Sequence, residues 1–373
     1  MGDRGGVNLA EFRAEVRSFL AEHADIQSFF HHEGEHDEGQ RRLYRALGER
    51  NWLALAWPKD VGGGGMSAAY EFVLWDEMAY ARAGRPPLGS GIVAKTIIAA
   101  GTDDQTALYL PGLRAGTLFF SLGYSEPEAG SDLGGVRTRA VRDGDHYVLT
   151  GEKRWTSGAH RADHLWVLCR TGAADDRARG LTLLIVDTKA PGVSFSPIPA
   201  IDGERFNEVR FDDVVVPVAD RVGEENGAWT LMVESLATER HVQFSPSRVR
   251  RDFEELVAWV RARDLHRDPV VRHQLAELAV DVAEANALAL AMVDAVEAGQ
   301  QAVVEAACNK LAGSETSQRI ARFAGDLGAP ESVVRGEPLE FLWRQSISET
   351  IGGGTSEVMR GVVARAGLGL NAR

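Results

Sequence analysis

The chain has 373 residues, 44% hydrophobic and 25% charged, with a net charge of −13 at pH 7. That length suggests two or three structural units at roughly 100–200 residues each, and the acidic balance excludes a nucleic-acid surface, which needs a basic stripe. No stretch approaches the roughly 20 apolar residues that span a bilayer, and two cysteines, Cys169 and Cys308, are too few for a disulfide framework. With no apolar core after Met1-Gly2-Asp3-Arg4, a cytoplasmic location is expected.

From Leu9 to about Ala115 apolar residues recur at helical spacing, as in Phe12, Val16, Phe19 and Leu20, or Phe72, Val73, Trp75 and Met78. Trp57-Pro58-Lys59-Asp60-Val61 and the Gly62–Gly65 run interrupt them as loops; no Lys-Ser/Thr follows the glycines, so they are not a phosphate loop. His31, His32 and His36, with Glu33 and Glu35, read as an exposed loop rather than a metal site. From Thr117 to about Val222 the texture changes to short β-rich runs: 136–141, 146–149, 165–168 and 181–186, with Asp143-Gly144 as a hairpin signal. From Ala228 to Ala364 the helical period returns, and Leu275, Leu278, Ala279, Val282 and Ala283 are expected to form one apolar stripe. Helices, a β unit and helices again point to α+β layering. The expected domains are an N-terminal helical domain (1–115), a central antiparallel β domain (116–224) and a C-terminal four-helix bundle (225–373).

Four motifs carry the functional argument. Leu122-Gly123-Tyr124-Ser125-Glu126-Pro127-Glu128-Ala129-Gly130-Ser131-Asp132 offers a hydroxyl and backbone N–H groups beside glycine, suited to a ring edge and phosphates. Gly151-Glu152-Lys153-Arg154-Trp155-Thr156-Ser157-Gly158-Ala159 places an indole beside a hydroxyl. Leu236-Ala237-Thr238-Glu239-Arg240 sets a carboxylate next to an arginine on a helix. Thr350-Ile351-Gly352-Gly353-Gly354-Thr355-Ser356-Glu357 is a glycine turn opening a helix. Together, and with Phe211–Pro217 and Val222–Trp229 between them, these segments resemble the acyl-CoA dehydrogenase family along essentially the whole chain.

That resemblance implies an FAD enzyme that desaturates an acyl thioester between its α and β carbons, in fatty-acid or secondary metabolism. A carboxylate takes the α proton while the β hydrogen leaves as hydride to flavin N5. Carried over residue by residue, Leu122, Tyr124, Ser125, Gly130, Ser131, Trp155, Ser157, Thr355 and Glu357 contact the cofactor, with Trp155 packing on the ring and Ser157 bonding near N5. Ser131, Arg240 and Gly352 line the substrate. The enolate that develops needs donors aimed at the thioester oxygen, and the backbone N–H of Gly353 supplies one. Many members carry their base at the position of Gly353; a second subtype, including isovaleryl and long-chain enzymes, carries it at the position of Glu239. Glycine at 353 and glutamate at 239 fit that second subtype, with Glu349 as the fallback base.

Two family segments differ. The Arg-x-x-Phe-Gly motif has no counterpart in 261–269, and Phe323-Ala324-Gly325-Asp326-Leu327-Gly328 replaces Gln-x-x-Gly-Gly, so the carry-over does not extend to the adenosine half of FAD. Lys310–Arg319 is expected in the helical core and a subunit interface. The implied partners are a coenzyme A or carrier-protein thioester, an electron-transfer flavoprotein, and further subunits in a homo- or hetero-oligomer, dimer or tetramer. Two other readings stay open: a flavin oxidase or monooxygenase on this scaffold, and a non-catalytic subunit of a heteromeric dehydrogenase. Replacement of a bulky family residue by Gly352 points to branched, cyclic or polyketide-like acyl groups.

Overall fold

The computed structural model describes residues 8–24, 36–328 and 332–370. Among these residues the chain forms eleven α-helices and eight strands, divided between two compact units. One comprises Met1–Gln40, Met66–Arg85 and Arg240–Arg373; the other comprises Arg41–Gly65 and Pro86–Glu239.

The N-terminal helices are α1 (Leu9–Glu22), α2 (His36–Glu49), α3 (Ala68–Tyr80), α4 (Ala94–Ala100) and α5 (Asp103–Arg114). Helix α1 starts at a capping box between Asn8 and Glu11 and buries Phe12, Val16, Phe19 and Leu20, the face its spacing predicts. Helix α5 starts at a second box between Thr102 and Gln105. The strands follow: β1 (Phe120–Gly123), β2 (Arg139–Asp143), β3 (His146–Lys153), β4 (His164–Arg170), β5 (Leu181–Asp187), β6 (Val193–Pro199), β7 (Arg205–Pro217) and β8 (Arg221–Val222).

The strands form one sheet in the order β6-β7-β3-β2-β4-β5-β8, with β1 also paired to β4. Most neighbours are antiparallel; β1 and β2 each run parallel to β4. Strand β4 is buried on both sides, which explains its unbroken apolar sequence. Trp166 and Leu168 face a core shared with Ile97 and Leu113 of α4 and α5. Leu165, Val167 and Cys169 face a second core with Tyr147, Leu149, Phe211 and Val214. The β2–β3 hairpin forms as expected, pairing Asp143 with His146 around Gly144. Strand β2 begins at Arg139 rather than Val136, because Val136 is buried from a loop and its carbonyl accepts from Arg170 Nε at 2.8 Å.

The later helices are α6 (Ala228–Gln243), α7 (Pro246–Ala262), α8 (Pro269–Glu297), α9 (Val303–Asp326), α10 (Pro338–Glu349) and α11 (Ser356–Val362). Ser245-Pro246 and Asp268-Pro269 each supply an N-cap side chain followed by proline at the first helical position. Helices α7 to α10 share a core that includes Leu256, Val260, Leu278, Val282, Ile320 and Leu342. The stripe expected on α8 is corrected here: Leu278 and Val282 are buried, whereas Ala279 and Ala283 are exposed, and the buried face continues through Ala285 and Ala289. Lys310, Thr316 and Ser317 are buried within α9. No helix among the described residues is long and apolar enough to cross a membrane. His31 and His32 lie outside the described residues, as does the His36 side chain; among the described residues no His, Cys, Asp and Glu group has metal-site geometry.

Candidate active site

In the sheet-bearing unit, the loops that follow β1 and β3 meet, with Arg154 N donating to Ser125 O at 2.8 Å. The first follows β1. Leu122 packs against the core, and Tyr124 OH accepts from Trp166 Nε1 at 3.1 Å. Glu126 and Ala129 exchange backbone hydrogen bonds of 2.9 and 3.2 Å, closing a tight turn. The turn leaves Gly130 and Ser131 exposed, with open space where a Gly130 side chain would be. Asp132 accepts from Arg177 Nη2 at 2.6 Å.

The second loop follows β3. Its direction is set by an irregularity between Leu149 and Gly151 in the pairing with β7. Gly151 has φ of 144°, and an added Cβ would lie 2.7 Å from Thr138 Cα, so only glycine fits. Beyond it, Lys153 is wholly buried while Trp155 is 51% exposed with φ of 62°. Such a backbone costs about 1–2 kcal/mol for a bulky residue. The Trp155 ring meets Phe206 edge-on at 6.0 Å, and the Arg154 guanidinium lies 5.2 Å from its centroid. Thr156 is pinned to Asn207 by paired backbone bonds of 3.0 and 3.1 Å. The Ser157 carbonyl accepts from Ser121 Oγ.

A buried ion pair joins the loops. Glu126 accepts from Lys153 Nζ at 2.7 Å, Thr138 N at 2.8 Å and Arg137 N at 2.7 Å. Lys153 Nζ also donates to the Tyr124 carbonyl at 3.1 Å, and Arg154 N donates to Ser125 O at 2.8 Å. Burial pushes the Glu126 carboxyl up, but the Lys153 charge and these hydrogen bonds outweigh it and hold the group below the usual carboxylate range. Sequence reasoning placed both residues in motifs without seeing the pair; the signal available was a lysine at an inward position of a strand.

These loops fit a flavin. An exposed indole held at positive φ lies beside Thr156, whose buried Oγ1 has no partner among the described residues. An exposed ring and a buried hydroxyl without a partner are compatible with a planar, hydrogen-bonding ligand.

In the helical unit, α10 ends at Thr350 and the chain turns through Gly353 (φ 70°) and Gly354 (φ 98°) before Thr355 caps α11, its Oγ1 accepting from Val358 N at 3.2 Å. A Cβ on Gly353 would lie 2.8 Å from Phe244 Cζ. Phe244, which sequence reasoning missed, is held in turn by Asn309 Nδ2 donating to its carbonyl at 3.1 Å. Gly352 is exposed, and its Cβ direction meets only Ser348 O at 3.6 Å. Thr355 and Glu357 border a cleft of about 440 Å³ with Gln318, Arg319, Arg322 and Arg360. The Glu357 carboxyl is held low by its own backbone N–H and by Thr355. The fallback base is occupied: Glu349 pairs with Arg248 and lies 3.7 Å from Arg85. Glu239 and Arg240 lie on α6, and their side chains are outside the described residues.

The chain matches "Acyl-CoA dehydrogenase, N-terminal domain" over residues 8–117, the middle domain over 121–214 and the C-terminal domain over 226–368. It belongs to the acyl-CoA dehydrogenase family, whose members are flavoprotein oxidoreductases. Acyl-CoA dehydrogenase FadE26 of Mycobacterium tuberculosis is 36% identical, with 96% of each chain covered. The solved Tcur3481-Tcur3483 steroid ACAD superposes with a TM-score of 0.90 at 34% identity, covering 100% of both chains. The ChsE4-ChsE5 complex from Mycobacterium tuberculosis gives 0.89 at 33% identity, again covering 100% of both chains.

Proposed function

We propose that this acyl-CoA dehydrogenase desaturates a bulky acyl thioester, with Glu239 as the base that removes the α proton. The observation that supports this most is Gly353. The turn there carries no carboxylate, its φ is positive, and Phe244 lies where a side chain would start. Glu349 is tied to Arg248, which supports Glu239 on α6, the position the family resemblance indicates. Gly353 keeps the oxyanion role because a backbone N–H is indifferent to side-chain loss. Arg240 orients Glu239 or the ligand, and Ser131 and Gly352 line the acyl path.

FAD, when bound, accepts the hydrogen that leaves the β carbon. Leu122, Tyr124, Ser125, Gly130, Ser131, Trp155, Ser157, Thr355 and Glu357 are the residues the family resemblance would have contact it. Arg322 beside Thr355 suits a phosphate group, which a guanidinium binds through paired planar donors. An open position at Gly352 favours a wide acyl group, and one solved relative is described as a steroid ACAD. The ChsE4-ChsE5 relative is described as a complex, and we extend a heteromeric assembly to this chain. An electron-transfer flavoprotein is the acceptor the family resemblance implies.

Anaerobic addition of a mixed acyl-CoA set to the purified yellow protein should bleach the flavin, most with bulky chains. A preference for straight short chains contradicts the substrate class. Rapid aerobic reoxidation with peroxide release would instead indicate an oxidase. A colourless chain that takes up no FAD would indicate a non-catalytic subunit. The same assay with matched carrier-protein thioesters decides the thioester type.

A further inference from the structure

We propose that the buried Glu126–Lys153 pair is a positioning device that fixes the spacing of the two flavin loops; the proposal rests on the flavin reading above. Lys153 is 0% exposed and Glu126 7%. Burying two charges costs several kcal/mol of desolvation per ion, and a well-packed apolar pair is often as stable. Stability alone therefore gives no reason for charge here, whereas fixing one register is the best-attested use of such pairs.

The geometry shows what is being registered. Lys153 ends β3 just beyond the irregularity at Gly151 and pairs with Val209 of β7. Its stem runs past Gly123 at the end of β1, where an added Cβ would lie 3.4 Å from Lys153 Cγ. The ammonium then bridges the Tyr124 carbonyl and the Glu126 carboxylate, at 3.1 and 2.7 Å. Glu126 in turn fixes Arg137 N and Thr138 N, the segment that leads into β2. Next to this point the loops join directly, through Arg154 N and Ser125 O. Ser125 and Trp155, one from each loop, stand one and two residues from the clamp. Neither charged group reaches the exposed face; both act through the backbone they hold. A misplacement of about 1 Å costs a positioned reaction about 100-fold, so the spacing of the two loops matters to the chemistry they would support.

The test is the double variant Glu126→Gln/Lys153→Met, which removes both charges together and leaves no lone buried ion. It should retain the fold and melting temperature of the apo chain within a few degrees, yet bind FAD about tenfold to 100-fold more weakly. The visible circular dichroism and reduction potential of the flavin it does bind should also shift. A purely structural pair would change melting alone. A folded double variant with wild-type FAD affinity, spectrum and potential overturns the proposal. A wild-type chain that cannot be reconstituted with FAD overturns the flavin reading and the clamp with it. Should the double variant not fold, amide exchange of the wild-type chain decides. Joint slowing of Arg137, Thr138 and Arg154 on FAD addition supports the clamp; slowing of Arg154 alone contradicts it.

Discussion

Around Ser125 the chain is held by charge: a carboxylate with three donors, an ammonium with two acceptors, and almost no solvent contact. Around Gly353 it is held by backbone geometry: two successive glycines at positive φ, a helix cap and one aromatic ring. The first arrangement tolerates no displacement of either partner. The second leaves the backbone N–H groups in place while dispensing with side chains. A cofactor platform benefits from the former, and a turn that presents backbone N–H groups benefits from the latter.

The sharpest way to break this contrast is Lys153→Met, which leaves Glu126 buried without its partner. The loss should be about 3–5 kcal/mol by chemical denaturation, the range for a broken buried pair. A loss below about 1 kcal/mol would place the pair with ordinary surface ion pairs. At the glycine turn, Gly353→Ala should cost about 1–3 kcal/mol from positive φ and the encounter with Phe244. Phe244→Ala should recover part of that cost, and strict additivity of the two substitutions would show that the contact is not felt. Gly354 makes a useful control, because the nearest atom to its added Cβ is Met359 Cε, the far end of a pliable side chain. Thr355→Ala should cost about 1 kcal/mol through the lost N-cap.

The smallest effect is in pH dependence. Glu126 is held below its ordinary value of 4.5, so the unfolded chain binds the proton more readily. Its contribution is present above the unfolded pKa and lost as pH falls through the lower folded value. The Glu126→Gln/Lys153→Met variant should therefore lose less stability than wild type between about pH 4.5 and the onset of acid unfolding. Parallel curves would mean that the carboxyl titrates alike in both states.

Much of the fold is legible from local pattern. The unbroken apolar run of β4 and the turn after Asp143 are each read by one element at a time. Ala279 and Ala283 misled because alanine is apolar enough to extend a stripe and small enough to lie at its exposed border. Val136 misled because burial from a loop carries the same hydrophobicity as burial from a strand. At the site, the motif residues were legible as segments. The Glu126–Lys153 pair and the Phe244–Gly353 contact were not, since each joins positions brought together by topology rather than by spacing along an element.

The account turns on where the base resides, and the most direct measurement is deuterium exchange at the α carbon of bound acyl-CoA in Glu239→Gln. That variant should keep the flavin spectrum and ligand binding while exchange and anaerobic bleaching fall by about 10²–10⁴, the contribution of a positioned base. Wild-type exchange in Glu239→Gln would contradict the assignment and move the role to another carboxylate.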